Sequence, residues 1–148
     1  MAVKPIPQGY HTVTPYLIVD DARAQIEFLQ KAFGATKSFS HDGPDGKIAH
    51  AEVKVGDSIL MIGNAGGKWP ARPCNIYLYV ENTDDLYKRA LAAGATSVME
   101  PANQFYGDRN AGVEDSNGNQ WWIATHVEDV SPEEMERRMS QAMATSSK

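Results

Sequence analysis

The sequence predicts an α+β domain built from two consecutive βαβββ modules and a C-terminal helix. An internal repeat is the main reason: residues 17–36 and 78–96 each contain a strand-like apolar segment, a helical pattern and then Gly-Ala-Thr. The distance from Val19 to Gly34 is 15 positions and that from Val80 to Gly94 is 14, so the two units are nearly in register. Such a repeat indicates one supersecondary unit used twice.

The length of 148 residues suits one domain rather than two. Within this domain we expect a first module at about residues 10–64 and a second at about 74–126. The segment 65–73 is rich in Gly and Pro and is predicted to be an exposed connection. A separate helix is expected at about residues 131–144.

β-Branched and aromatic residues predict the first strand of each module at residues 12–19 and 75–80. Pro15 is awkward inside a central strand, so we expect it at a sheet edge or near a strand start. Turn signals after each helix separate short alternating segments. These further predicted strands are residues 37–41, 47–55, 59–62, 97–100, 109–114 and 120–124.

Apolar residues at spacings of four, three and four between Ala22 and Phe33 predict the first helix. Asp20 or Asp21 is expected to cap it and Gly34 to end it.

The second helix is expected to begin at Thr83 as the N-cap and to close at Gly94. Residues 131–134 form a capping box with Pro at the first helical position, which predicts the C-terminal helix. Its methionines lie four residues apart on one face and are expected to pack on a neighbour, such as a second subunit. These are Met135, Met139 and Met143.

Composition excludes several classes of function. The formal charge is −5, and the 14 basic residues form no basic run, which argues against nucleic-acid binding. No apolar stretch approaches the ~18–20 residues that a membrane span needs. The N-terminus lacks the apolar segment of a secretory signal, so we expect a cytoplasmic protein. The single cysteine, Cys74, excludes an intrachain disulfide and has no base placed beside it.

Four segments, residues 10–17, 50–52, 106–109 and 124–129, resemble the vicinal oxygen chelate superfamily and, more closely, its PhnB-like branch. This superfamily includes lactoylglutathione lyase, extradiol dioxygenases and bleomycin resistance proteins. The resemblance covers about residues 9–138. It implies that each four-stranded sheet forms half of a cupped, barrel-like structure around a pocket, and that the chain forms a homodimer.

The resemblance also implies where a metal would bind, because metal-dependent members hold a divalent ion with one residue, typically His or Glu, from the first and last strand of each module. A gapless reading places these positions at Thr14, Met61, Asn75 and Trp122. Threonine and methionine are poor ligands for such an ion, asparagine is weak, and tryptophan has no free acceptor. We therefore expect no cofactor there, and a divalent metal only at a non-standard site.

His50 and Glu52 are the candidate catalytic residues, because alternate residues of a strand share one face. They are interpreted as a base and its partner, or as two ligands of a relocated metal. The alternative is a polar pair on the solvated face of the sheet. His126 is either a third ligand or a hydrogen-bonded tie between the last strand and the C-terminal segment.

The aromatic residues predict a pocket that suits a planar or aromatic ligand. Trp121 and Trp122 must face opposite ways on one strand, and we expect Trp122 to point inward. Arg109 is expected to hold an anionic group or to pair with Asp108 or Glu114. For each aromatic residue alone, ordinary core packing is the alternative. The predicted ligand-binding residues are Tyr16, Met61, Tyr77, Phe105, Tyr106, Arg109 and Trp122.

Three functions remain open from the sequence. The first, which we favour, is a metal-free small-molecule binder of the bleomycin-resistance type. The second is an enzyme of the same superfamily, a lyase, isomerase or dioxygenase-like protein, that uses His50 and Glu52. The third is a dimeric interaction module whose cavity is closed by its own side chains.

Overall fold

The computed structural model describes residues 2–146 as two four-stranded sheets and three helices. The α+β fold of two tandem βαβββ modules with a C-terminal helix is therefore confirmed. In chain order the elements are β1 (Tyr16–Val19), α1 (Ala22–Phe33), β2 (Thr36–Asp42), β3 (Ile48–Val55), β4 (Ser58–Asn64), β5 (Asn75–Tyr79), α2 (Thr83–Ala92), β6 (Thr96–Asn103), β7 (Asp108–Glu114), β8 (Gln120–His126) and α3 (Pro132–Ser146).

The two sheets have the same topology. The strand order is β1-β4-β3-β2 in the first and β5-β8-β7-β6 in the second. In each sheet the first strand runs parallel to the last, and the other neighbours are antiparallel. Tyr16 lies opposite Met61 in the first sheet, and Tyr77 lies opposite Trp122 in the second. The repeat therefore extends to individual side-chain positions.

The first strand is shorter than the sequence predicts, because β1 begins at Tyr16 rather than at residue 12. Pro15 directly precedes it and has no N–H to donate to a ladder. Its carbonyl still accepts a hydrogen bond from the Met61 backbone N–H, at 2.9 Å. The expectation that Pro15 lies near a strand start, next to a sheet edge, is confirmed.

The ends of α1 agree with the sequence prediction, whereas the N-cap of α2 differs from it. The Asp21 side chain accepts from the Ala24 N–H at 3.0 Å, and Gly34 ends α1 with a φ of 68°. At α2 the prediction of a Thr83 cap is wrong, since Asn82 is the N-cap. The Thr83 hydroxyl instead donates to the Arg109 carbonyl at 2.9 Å, which fastens α2 to β7.

The third helix begins as predicted, with the Ser131 hydroxyl accepting from the Glu134 N–H at 3.2 Å. Arg138 holds α3 to the second module through Glu128, at 2.8 Å, and the Phe105 carbonyl, at 3.0 Å. Within Pro132–Ser146, the residues of α3, no side chain is buried, and Met139 and Met143 are exposed. Two of the three methionines are thus left uncovered by the described residues, whereas Met135 is half-buried.

The two modules meet through their helices. α1 packs against α2, and the fully buried Trp121 ring lies 5.6 Å from the Phe33 ring and 6.4 Å from the Phe28 ring. Each of these helices covers one face of its own sheet. In the described residues, no helix is long and apolar enough to span a membrane.

The face of each sheet turned away from its helix carries polar and aromatic side chains. The sheet-1 face consists of Tyr16, Ile18, Phe39, His50, Glu52, Met61 and Gly63. The sheet-2 face consists of Tyr77, Tyr79, Asp108, Asn110, Gly112 and Trp122.

Candidate functional site

Two cavities lie on these faces, one for each module. The first, of about 460 Å³, is lined by Tyr16, Ile18, Ala49, Gly63, Asn64 and Trp69. The second, of about 310 Å³, is lined by Tyr77, Met99, Gln104, Tyr106, Asn110 and Trp122. The residues of these two cavities come from different modules. A further cavity, of about 650 Å³, is lined by residues of both modules, among them Val13, Phe33 and Tyr77.

A chain of hydrogen bonds crosses the sheet-1 face. Glu52 Oε2 lies 3.0 Å from His50 Nε2, and His50 Nδ1 lies 3.0 Å from the Tyr16 hydroxyl. The His50 and Glu52 side chains are mostly buried, with 29% and 19% of their surface exposed. His50 and Glu52 do share one face of the sheet, and Tyr16 extends their hydrogen-bonded chain to the cavity.

Gly63 determines the path of the Tyr16 side chain. A Cβ atom at this position would lie 3.3 Å from the Tyr16 hydroxyl and 2.9 Å from the Ala49 carbonyl oxygen. The absence of a side chain therefore lets the phenol pass across β4 to reach His50 on β3.

A larger polar network occupies the sheet-2 face. The buried Asp108 carboxylate accepts from the Tyr77 hydroxyl at 2.7 Å and from the Tyr79 hydroxyl at 3.0 Å. Asn110, also buried, donates to the hydroxyls of Tyr77 at 3.1 Å and of Tyr106 at 2.6 Å. Because these groups satisfy one another, the network holds the aromatic rings in fixed positions.

His126 completes the network at the end of β8. Its Nδ1 lies 3.0 Å from Asp108 and its Nε2 lies 2.8 Å from Asp129, so it ties β8 to the C-terminal segment, as one of the two interpretations predicted. The hydrogen bonds to Asp108 and then to Asp129 raise the pKa of His126. Burial acts to raise the pKa of Asp108, but the hydrogen bonds from His126, Tyr77 and Tyr79 outweigh it and leave this pKa lowered.

Both tyrosines bound to Asp108 have a raised pKa and therefore remain protonated donors. For Tyr77 the main cause is burial, and for Tyr79 it is the hydrogen bond to Asp108.

Trp122 lies flat on the sheet-2 face. A Cβ atom at Gly112 would lie 2.6 Å from the six-membered ring of this indole, so the glycine makes room for it. The indole N–H donates to Asn75 Oδ1 at 3.2 Å, which fixes the ring in its plane. The prediction that Trp121 and Trp122 face opposite sides of their strand is confirmed, since Trp121 is buried and Trp122 lines the sheet-2 cavity. The arrangement offers a planar stacking surface.

Two predicted ligand-binding residues have other contacts. The Arg109 guanidinium forms two hydrogen bonds with Asp84 of α2, at 2.7 and 2.9 Å, and not with Asp108 or Glu114. Its charge is therefore paired on the helix side of the sheet. Phe105 packs edge-on against Tyr106 at 5.2 Å, next to the cavity.

The positions that would hold the superfamily metal carry no ligand set. Met61 and Trp122 lie on the two faces, Asn75 holds the Trp122 indole, and Thr14 precedes β1 and donates to the His11 carbonyl at 3.3 Å. Within residues 2–146, no group of three or more His, Cys, Asp or Glu side chains is arranged to hold a metal ion. Both His50 ring nitrogens already have protein partners.

Cys74 is bound to Asn119 through both its backbone N–H and its thiol, at 2.9 and 3.4 Å. Burial, with a smaller contribution from Asp115, raises the pKa of this thiol, which makes it a poorer nucleophile.

Sequence reasoning missed Trp69 and the link from Tyr16 to His50. Trp69 is 61% exposed at the edge of the sheet-1 cavity. A lone tryptophan in a Gly- and Pro-rich connection is a signal that was present in the sequence. The contact between Tyr16 and His50 depends on the strand order, in which β4 lies between β1 and β3. Hydrophobic periodicity does not predict strand order.

Comparison with known proteins identifies the family. The model of the Glyoxalase/Bleomycin resistance protein/Dioxygenase superfamily matches residues 10–123, and the chain belongs to this superfamily. It is 35% identical over 139 residues to the uncharacterized protein Mb0911c of Mycobacterium bovis, covering 86% of this chain and 91% of that protein.

Solved structures share the fold. TioX from Micromonospora sp. ML1 superposes with a TM-score of 0.69 at 23% identity, covering 79% of this chain and 99% of TioX. A glyoxalase/bleomycin resistance protein/dioxygenase from Nocardioides gives a TM-score of 0.61 at 19% identity, covering 89% and 90%. The narrower assignment to the PhnB-like branch stays a prediction.

Proposed function

We propose that this protein binds a small planar molecule without a metal ion, on the two open sheet faces. The observation that carries the proposal is the Trp122 indole, which lies flat over Gly112. The resemblance to the superfamily implies a metal ligand at this position. Tyr77 and Tyr106 flank the indole and are held by the buried polar network. A rigid aromatic surface of this kind favours stacking with a flat ligand.

We further propose that the protein acts as a homodimer in which a second copy lies against the sheet faces, so that a ligand bound there lies between the two chains. Large apolar and aromatic side chains are exposed there, including Tyr16, Phe39 and Tyr79, as are Met139 and Met143 on α3. Exposed patches of this composition are typical of interaction surfaces. We expect the dimer to lie in the cytoplasm, away from nucleic acid and membranes, in keeping with its net charge of −5.

The binding proposal is tested by thermal unfolding of the purified full-length protein with a panel of planar aromatic compounds. At least one compound should raise the midpoint, and Trp122→Ala should remove that rise. Trp69→Ala separates the two faces, since Trp69 lies only in the sheet-1 cavity. A panel that leaves the midpoint unchanged refutes planar ligand binding. Elemental analysis that finds about one divalent ion per chain refutes the metal-free state.

A second candidate function is an enzyme that uses His50 and Glu52. The observation that favours it is the hydrogen-bonded sequence from Glu52 through His50 to Tyr16, which ends at a cavity. A carboxylate that orients an imidazole, which in turn contacts a hydroxyl, is an arrangement suited to proton transfer. Turnover by the native protein that His50→Gln abolishes, with folding intact, would establish this function in place of simple binding.

A further inference from the structure

We propose that the Tyr16 hydroxyl is the polar recognition group of the sheet-1 face, and that this face takes a planar aromatic ligand carrying a hydrogen-bond donor. A phenol hydroxyl or a ring N–H is such a donor. The inference rests on the proposed binding function, because it specifies the ligand chemistry of one of the two faces.

The direction of the hydrogen bonds follows from Glu52. A carboxylate only accepts, so the His50 Nε2 atom, 3.0 Å away, carries the imidazole proton. In a neutral imidazole the other nitrogen is then an acceptor. The Tyr16 hydroxyl, 3.0 Å from Nδ1, therefore donates its single proton to His50. The remaining hydrogen-bonding capacity of the Tyr16 oxygen is that of an acceptor.

This acceptor is available to an occupant of the cavity. Tyr16 is 50% exposed and lines the 460 Å³ cavity, and its hydroxyl lies beside Gly63, which also lines it. The hydrogen bond between Tyr16 and His50 is exposed, so an occupant with a donor group can approach the oxygen from the cavity.

The other lining residues supply apolar walls rather than competing polar groups. Ile18, Ala49 and the exposed Trp69 ring offer contact and stacking surface. The Asn64 amide is used within the fold, donating to the Asp20 carbonyl at 2.8 Å and accepting from the Ala22 N–H at 3.3 Å. Among the side chains that line this cavity, Tyr16 is thus the group suited to select a donor.

The second module provides an internal comparison. Tyr77 occupies the position in β5 that Tyr16 occupies in β1, and its hydroxyl also contacts the third strand of its sheet, at Asn110. However, Tyr77 donates to Asp108 at 2.7 Å and accepts from Asn110 at 3.1 Å, so both of its roles are filled. Tyr77 therefore does not offer the acceptor that Tyr16 offers.

The three tryptophans make the test specific, because each lies in a different place. Trp69 is in the sheet-1 cavity, Trp122 is in the sheet-2 cavity and Trp121 is buried. In a ¹⁵N-labelled full-length protein their indole N–H resonances, assigned with Trp→Phe variants, report the site that a ligand occupies. The probes are 2-naphthol, which can donate, and 2-methoxynaphthalene, which can only accept.

We expect 2-naphthol to shift the Trp69 resonance with a Kd about three- to tenfold lower than that of 2-methoxynaphthalene, the effect of one neutral hydrogen bond. Tyr16→Phe should abolish this preference, so that the two probes bind with similar Kd values. Tyr10→Phe, the same chemical change outside both sheet faces, should keep the preference. Glu52→Gln should weaken or reverse it, because an amide can donate to Nε2. The imidazole proton then lies on Nδ1 and is donated to Tyr16, which leaves the Tyr16 O–H to donate to the ligand.

The other outcomes overturn the inference. Equal affinity for the two probes, tighter binding of 2-methoxynaphthalene, or a preference that survives in Tyr16→Phe each show that Tyr16 does not select a donor, while ligand binding itself still stands. If neither probe, nor any compound of the planar panel, shifts a resonance or the unfolding midpoint, the proposed function fails and the inference fails with it.

Discussion

Replacing Asp115 with asparagine should destabilise the contact between the two modules. This carboxylate is 6% exposed and lies in the turn between β7 and β8. One of its oxygens accepts from the backbone N–H groups of Asn117 and Asn119, at 2.9 and 3.0 Å. The other accepts from the Gln25 amide of α1 and the Trp121 indole, both at 2.8 Å.

The size of the effect follows from counting donors. An amide keeps one acceptor oxygen and replaces the other with a donor, so in either orientation two N–H groups of the native site lose their acceptor. Each buried unsatisfied donor costs about 1–3 kcal/mol, which gives a loss of about 2–6 kcal/mol in the free energy of unfolding. Rotating the Gln25 amide does not repair the site, because its oxygen already accepts from Asn119 at 2.9 Å.

Urea unfolding followed by circular dichroism at a fixed protein concentration measures this loss. The matched control is Glu114→Gln, the same chemical change at the preceding, exposed position, which should alter stability by less than about 0.5 kcal/mol. A double-mutant cycle with Gln25→Met should show coupling of about 0.5–3 kcal/mol. If Asp115→Asn is as stable as the control, the buried network does not hold the modules together and the reasoning is refuted.

Three further predictions concern the sheet-2 face and α3. Gly112→Ala should displace the Trp122 indole and lower stability by about 1–3 kcal/mol, seen as a moved Trp122 N–H resonance and a lower urea midpoint; an unmoved resonance would contradict it. The pKa of His126 is raised in the folded protein, so its contribution to stability is complete below the unfolded pKa of about 6.5 and is lost as pH rises through the folded value. His126→Gln should therefore flatten the decline of the urea midpoint above about pH 6.5. Arg138→Ala should accelerate amide hydrogen exchange in α3 and leave exchange in β7 unchanged, whereas unchanged exchange in α3 would show that another contact holds the helix.

Local patterns predicted much of the fold because the forces that they encode act over a few residues. A cap at Asp20 or Asp21, the Gly34 stop and the opposite faces of Trp121 and Trp122 were all predicted from backbone geometry within one element, and Asp21 is the cap. The error at α2 has a local cause as well, since Asn82 and Thr83 are both good caps and the tertiary contact of Thr83 with Arg109 decided between them.

The candidate site was predicted less completely, because its contacts join distant segments. His50 and Glu52 are two residues apart and could be paired from strand geometry alone. Tyr16 reaches His50 across 34 residues, and the charge of Arg109 is paired 25 residues away with Asp84. Such pairs depend on strand order and on where the helix packs, and hydrophobic periodicity predicts neither of them.

The repeat itself, once aligned with the strand register, carries more functional information than any single motif. Tyr16 and Tyr77 are equivalent, as are Met61 and Trp122, yet their surroundings have diverged. In the second module the tyrosine hydroxyl is saturated and a tryptophan forms a flat floor. In the first module, Met61 is smaller than the equivalent Trp122, and the Tyr16 hydroxyl can still accept a hydrogen bond. Two copies of one unit thus present unlike surfaces, one with a flat indole and one with an exposed tyrosine hydroxyl. A second copy of the chain that joined the two faces would suit an asymmetric planar ligand, aromatic at one end and donor-bearing at the other.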